Sequence, residues 1–187
     1  MNNKPSSDVY EMIDVHDIEE KHTIAVLVDN DFGVLARVVG LFSARGYNLE
    51  SLTVSEVDKE KNLSRITIIT YGSEAIIEQI RALLERLIPV YEVCDLTVES
   101  PHIEREVALI KVVGDEDQHI GAMKLADRFG ARTIDSTPTS FVFELSDIPE
   151  KIDKFIDRME AFGIKEVCRS GVTAISRGTK SLTIDEI

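Results

Sequence analysis

The sequence predicts an α+β fold of two βαββαβ sandwiches in tandem. Each sandwich is a four-stranded antiparallel sheet with two helices on one face. Three observations predict it. Between residues 22 and 98, apolar residues repeat with strand and helix periods in the order β-α-β-β-α-β. Residues 104–177 repeat that order with little shared sequence. The chain's 187 residues suit two small domains. The segment Glu99-Ser100-Pro101-His102 reads as the boundary. The division is then an acidic arm (1–20), a first domain (21–98), a second domain (102–178) and a tail (179–187).

Each element has its own justification. Residues 1–20 are polar and acidic and read as a loosely attached arm, with a short amphipathic helix conceivable over Val9 to Ile18. Thr23 to Val28 forms a strand with Ile24, Val26 and Val28 on one face. Val34 to Arg45 forms a helix: Leu35, Val38, Val39 and Phe42 make an apolar stripe, and Gly46 ends it. A second strand runs from Tyr47 to Val57, a charged turn covers Asp58 to Asn62, and a third strand covers Leu63 to Tyr71. Ser73 caps a second helix, whose buried face is Ile76, Ile77, Ile80, Leu83, Leu84 and Leu87 and which Pro89 stops. Val90 to Val98 closes the first sheet.

In the second half, Glu106 to Val113 is a strand, and Gln118 to Phe129 is a helix with Ile120, Met123 and Phe129 inward, ended by Gly130. Strands follow at Ala131 to Ser136 and Phe141 to Leu145, around a turn at Thr137 to Thr139. Asp147-Ile148-Pro149-Glu150 has capping-box spacing and opens a helix carrying Ile152, Phe155, Ile156 and Met159. Gly163 ends it, and Ile164 to Ser176 is one last strand. Such sandwiches leave one sheet face exposed or partner-bound, and domains this small gain from dimerisation.

Composition excludes several functions. The net charge of −13, with no basic run, repels nucleic acid and anionic membranes. No apolar run is long enough to cross a bilayer, and no secretory leader is legible, so a cytoplasmic location is expected. Cys94 and Cys168 are expected to be buried, reduced thiols. His16, His22, His102 and His119 lack metal-ligand spacing and are expected on the surface. GxSxG, HExxH, GxxxxGK[ST] and GxGxxG are all missing, so no catalytic set, metal site or cofactor site is expected in this chain.

One segment remains. Asp29-Asn30-Asp31-Phe32-Gly33 leads from a strand straight into a helix. Amide hydrogens at a helix start, beside the positive end of its dipole, suit a carboxylate. Gly33 lets backbone approach a ligand closely, and Asn30 offers an acceptor to an ammonium group. Asn48, at the start of the second strand, is expected within reach, so that these residues clasp both ends of a free amino acid. On spacing alone, the same residues also make an ordinary turn and helix cap. Ala36, Gly40 and Ala44 line one side of the first helix, which fits tight packing on the domain's own sheet or against a second subunit.

The run Asp29 to Val54, through Gly33-Val34-Leu35-Ala36-Arg37 and Arg45-Gly46-Tyr47-Asn48-Leu49-Glu50-Ser51-Leu52-Thr53, resembles the ACT domain of the acetolactate synthase (acetohydroxyacid synthase) small regulatory subunit. The likeness continues through Leu63 to Thr67 and reappears at Arg169 to Gly178. It covers about residues 22–178. The resemblance implies two ferredoxin-like domains and a subunit with no catalysis of its own. It implies a large catalytic subunit as partner, holding thiamine diphosphate, FAD and magnesium, which this chain activates and makes sensitive to valine. It implies a homodimer through the ACT domains with valine between them. Asn30 and Gly33 match the loop positions, Asn48 matches the second-strand Asn supplied by the other subunit, and Phe32, Val34 and Leu35 supply loop amides and apolar contact. Other readings stay open: a stand-alone amino-acid sensor for another enzyme or a transcriptional response, a ligand-responsive DNA-binding regulator, and an enzyme assembled only in three dimensions.

Overall fold

The computed structural model describes residues 19–182; the expected Val9 to Ile18 helix and the last five residues of the tail lie outside them. In the first half, β1 (Glu20–Asp29), α1 (Val34–Arg45), β2 (Ser51–Asp58), β3 (Leu63–Gly72), α2 (Glu74–Glu85) and β4 (Val90–Asp95) form an antiparallel sheet ordered β2-β3-β1-β4. A short helix, α3 (Leu96–Glu99), follows. The second half contains β5 (His102–Val113), α4 (Glu116–Phe129), β6 (Arg132–Ser136), β7 (Ser140–Asp147), α5 (Pro149–Met159) and β8 (Ile164–Arg169), ordered β6-β7-β5-β8. A last strand, β9 (Thr173–Ser176), pairs with the first residues of β5. The fold is the expected pair of ferredoxin-like sandwiches.

Each sandwich has its own core. In the first, Ile24, Val26 and Val28 of β1 and Ile66 and Ile68 of β3 meet Val38, Leu41 and Phe42 of α1 and Ile77, Ile80 and Leu84 of α2. In the second, Ile110, Val112, Phe143 and Leu145 meet Ala122, Leu125, Ile152, Phe155 and Met159. Each fully buried side chain of this size contributes about 1.5–3 kcal/mol of transfer free energy, so these periodic positions dictate the layers.

The structure corrects several expectations. Tyr47 to Glu50 stay outside β2, because the Tyr47 N–H returns to Phe42 O (3.1 Å) and closes the end of α1. β4 ends at Asp95, whose side chain accepts from Thr97 N–H (3.0 Å) and starts α3. α4 turns His119, Ala122, Leu125 and Ala126 inward and leaves Ile120 and Met123 44% and 45% exposed. That face carries Ala122, Leu125 and Ala126 into the cluster of Phe143, Phe155 and Met159, with His119 against Phe141, and Ile120 and Met123 lie off it. No capping box forms at Asp147. One oxygen accepts from Ile148 N–H and the other pairs with Lys151, so Ile148 is the cap, with Pro149 after it. The capping box belongs instead to Asp115 and Gln118.

Two of the histidines are buried. His22 bonds Asp95 through Nδ1 (2.7 Å), and His119 packs edge-on to Phe141 at 4.6 Å between ring centroids. Cys94 is buried as expected, but Cys168 is exposed on an outer strand, and both are free thiols. Burial, reinforced by Glu99, pushes the Cys94 thiol up to about 11.

The expected last strand breaks at Ser170 to Val172, and the break joins the halves. Beyond it, Ala174 packs on Ala25, Cys94 and Leu96, so the chain itself covers part of the first sheet's open face. Val172 N–H donates to Ser51 Oγ (3.0 Å), Thr53 Oγ1 donates to Val172 O (2.5 Å), and Arg65 donates to Ala174 O (2.8 Å). Lys21 and Thr23 both donate to Glu104. Burial opposes the Glu104 charge, but these bonds outweigh it and hold its carboxyl below the usual range.

Candidate functional site

The turn after β1 is braced from three sides. Asn30 N–H donates to Asn62 O (2.7 Å), Ser64 Oγ donates to Asn30 Oδ1 (2.9 Å), and Asn30 Nδ2 donates to Glu56 Oε1 (3.3 Å). Asn62 holds a left-handed φ of 53°, which lets the β2–β3 turn reach the loop. On the other flank, Tyr91 donates to Asp29 Oδ1 (2.7 Å), a bond that raises the tyrosine's pKa. Ser64 and Asn62 were not singled out from sequence. Ser64 is one of several polar residues in β3, with Arg65, Thr67 and Thr70, so the sequence carried no signal that set it apart.

Gly33 caps α1 at φ +83°, a conformation that other residues enter only with strain, and no side chain caps the helix. The first helical bond runs from Arg37 N–H to Gly33 O (3.0 Å), and Val34 N–H reaches Asp31 O only at 3.4 Å. Among the described residues, the Leu35 and Ala36 amides have no acceptor. The first turn of α1 carries no acid, whereas α2, α4 and α5 each carry at least one there. Such a helix start attracts an anion.

The predicted site residues divide by exposure. Phe32 is fully exposed and Leu35 is 41% exposed, so both present apolar surface beside the free amides. Val34 faces inward and is buried in the first core, so its side chain is no contact surface. Ala36, Gly40 and Ala44 face outward, and nothing lies within 4 Å of a Cβ placed on Gly40. Packing on the domain's own sheet therefore does not account for this stripe.

Asn48 does not join Asn30 within one chain. Its carbonyl accepts from Thr70 Oγ1 (2.7 Å), while Asn30 sits beside Ser64. Ser64 and Thr70 lie six residues apart along β3, roughly 20 Å at about 3.3 Å per residue. An intrachain clasp around one amino acid is excluded. The Asn48 side chain is exposed and has no hydrogen-bond partner among the described residues. Among those residues, no three His, Cys, Asp or Glu side chains gather as a metal site. No helix among them is long and apolar enough to cross a membrane.

Comparison with known proteins gives consistent matches to both halves. Residues 24–92 match the family described as "AHAS small subunit-like ACT domain", and residues 105–178 match "Small subunit of acetolactate synthase". A probable acetolactate synthase small subunit of Archaeoglobus fulgidus is 43% identical over 160 residues, covering 86% of this chain and 99% of the relative. The acetolactate synthase small subunit of Haemophilus influenzae is 42% identical over 165 residues, covering 87% and 99%. The crystal structure of the small subunit from Thermotoga maritima superposes with a TM-score of 0.76 at 34% identity, covering 86% of this chain and 99% of that one.

Proposed function

The chain belongs to the family of acetolactate synthase small subunits, and from that premise we propose that it is the regulatory subunit of a cytoplasmic acetolactate synthase, activating the large catalytic subunit and making it sensitive to valine. On this reading, thiamine diphosphate, FAD and magnesium sit in the large subunit. This chain supplies no reacting group; it supplies a conformational equilibrium that the large subunit reads.

One observation carries the effector site: Asn30 and Asn48 lie at opposite ends of an edge strand. Asn30 bonds Glu56 near the end of β2, and Asn48 precedes Ser51 at its start. β2 is an edge of the sheet, with one side unpaired. Two copies related by a two-fold axis pair these edges antiparallel, so the start of one β2 meets the end of the other. Asn48 of the second copy then faces the Asn30–Gly33 loop, and each dimer has two such sites. The outward Ala36-Gly40-Ala44 stripe allows close approach of the second copy.

Valine fits this place by its charges. Its carboxylate accepts from the free Leu35 and Ala36 amides at the positive end of α1. Its ammonium donates to side-chain oxygens of Asn30 and of Asn48 from the second copy. Its isopropyl group rests on Leu35 and Phe32. A ligand that binds one dimer arrangement better shifts the equilibrium by about 1–3 kcal/mol, enough for feedback control. One methylene is worth only about 1–3 kcal/mol in an apolar pocket, so leucine and isoleucine compete with valine.

Calorimetric titration of valine into the full chain tests the site. Saturable heat at millimolar valine or below is expected, and it is lost in Asn30→Ala. Absence of heat from the unmodified protein, or binding unaffected by Asn30→Ala, overturns the assignment.

A further inference from the structure

A cleft of about 600 Å³, open to solvent on one side, lies between the first sheet's open face and the start of α5. Tyr71 and Pro149 form apolar parts of its wall. Its two cations are already committed. Arg169 makes two bonds to the buried Glu106 (2.8 and 2.7 Å) and one to Asp153 (2.7 Å). Lys21 pairs with Glu104 (2.8 Å) and stands 3.8 Å from Glu150. Against these two cations the wall sets Glu50, Glu106, Glu150 and Asp153. The Glu50 carboxylate has no ion-pair partner among the described residues. The wall therefore carries more carboxylates than cations, and its rim offers an aromatic ring beside them.

We infer that this cleft receives a basic segment of a protein partner, an Arg or Lys side chain with apolar neighbours, and on the reading above that partner is the catalytic large subunit. The stem of such a side chain lies along Tyr71 and Pro149 while its head meets Glu50 and Glu150. Charge complementarity of this kind steers docking and fixes register. The chain's own arm is a poor occupant, since Asp8, Glu11, Asp14 and Asp17 outweigh Lys4. A second copy is also a poor one, with a net charge of −13 and no basic run. A free small amine gains little from a cleft open on one side, because small ligands bind where most of their surface is buried.

The test titrates the full chain into the cofactor-loaded catalytic subunit and reads the half-activating concentration. The variants are the double change Glu50→Gln with Glu150→Gln, and separately Tyr71→Ala, which leaves charge untouched. Glu85→Gln and Asp127→Gln, on exposed faces of α2 and α4, serve as controls, and thermal melts confirm folding. Each cleft variant is expected to raise the half-activating concentration about tenfold, the controls to leave it unchanged, and added salt to weaken the unmodified chain more than the double variant. Cleft variants that activate like the unmodified chain overturn the inference and leave the regulatory reading intact. An unmodified chain that neither binds nor activates the catalytic subunit sinks both. Stabilisation of the unmodified chain by millimolar agmatine, lost in the double variant while activation is unchanged, assigns the cleft to a small amine instead. A change in self-association of the double variant assigns it to a second copy. Either result overturns the inference.

Discussion

Replacing Gly171 by alanine tests whether the turn between β8 and β9 fixes the two domains against each other. Gly171 has φ +78°, and a Cβ built there lies 2.9 Å from Ser51 Oγ and 3.0 Å from Thr53 Cγ2. The backbone conformation alone costs an alanine about 1–2 kcal/mol. Ser51 can swing clear only by giving up the bond it accepts from Val172 N–H (3.0 Å), a further loss of about 1 kcal/mol. The expected total is about 2–3 kcal/mol, or a melting temperature about 4–12 °C lower. Gly130→Ala is the matched control: its φ is +76°, and nothing lies within 4 Å of its Cβ, so it bears the backbone cost alone. Differential scanning calorimetry of both variants isolates the contact between domains. Equal losses would refute the claim that Gly171 is a point of close approach.

The remaining predictions concern the interdomain tether and two helix starts. The Glu104 carboxyl is held below its ordinary value, chiefly by hydrogen bonds from Lys21 and Thr23 acting against burial. Its contribution is therefore full above the unfolded value of about 4.3 and is lost as pH falls through the lower folded one. Glu104→Gln should cost about 1–3 kcal/mol at pH 7 in urea melts, with the gap to the unmodified chain closing below about pH 4. Asp115→Ala removes the capping box of α4 and should cost about 1 kcal/mol. Glu150→Ala, at the spacing where a box does not form, should cost only a few tenths by chemical denaturation.

The layers of this fold were legible because burial imposes a period. The α1 helix runs from Val34 to Arg45 and is ended by Gly46 as expected, but its buried stripe is Val34, Val38, Leu41 and Phe42, and Leu35 and Val39 of the expected stripe are exposed and half-buried. What the sequence hid was decided by distant partners. The orientation of α4 is set by the second core beneath it, where Ala122, Leu125 and Ala126 pack, while the larger Ile120 and Met123 lie off that face. The break before β9 carried a signal, since Gly171 interrupts an otherwise strand-like run. Only the approach of Ser51 and Thr53 gives that glycine its purpose. His22 is buried because Asp95, seventy-three positions on, meets its ring. At the candidate site, the loop and its glycine were legible from local chemistry. The separation of Asn30 from Asn48 was not, because it is a property of strand order.

If the effector site is split between two copies of the chain, two inactive variants complement each other when mixed. Asn30→Ala and Asn48→Ala homodimers each lack one half of every site. Unfolded together and refolded, they form mixed dimers in which one site has both asparagines intact. Valine binding, negligible in either variant alone, is expected to return by calorimetry to about one quarter of the unmodified capacity. A mixture that binds no more valine than its separate components rules out a site shared between two copies.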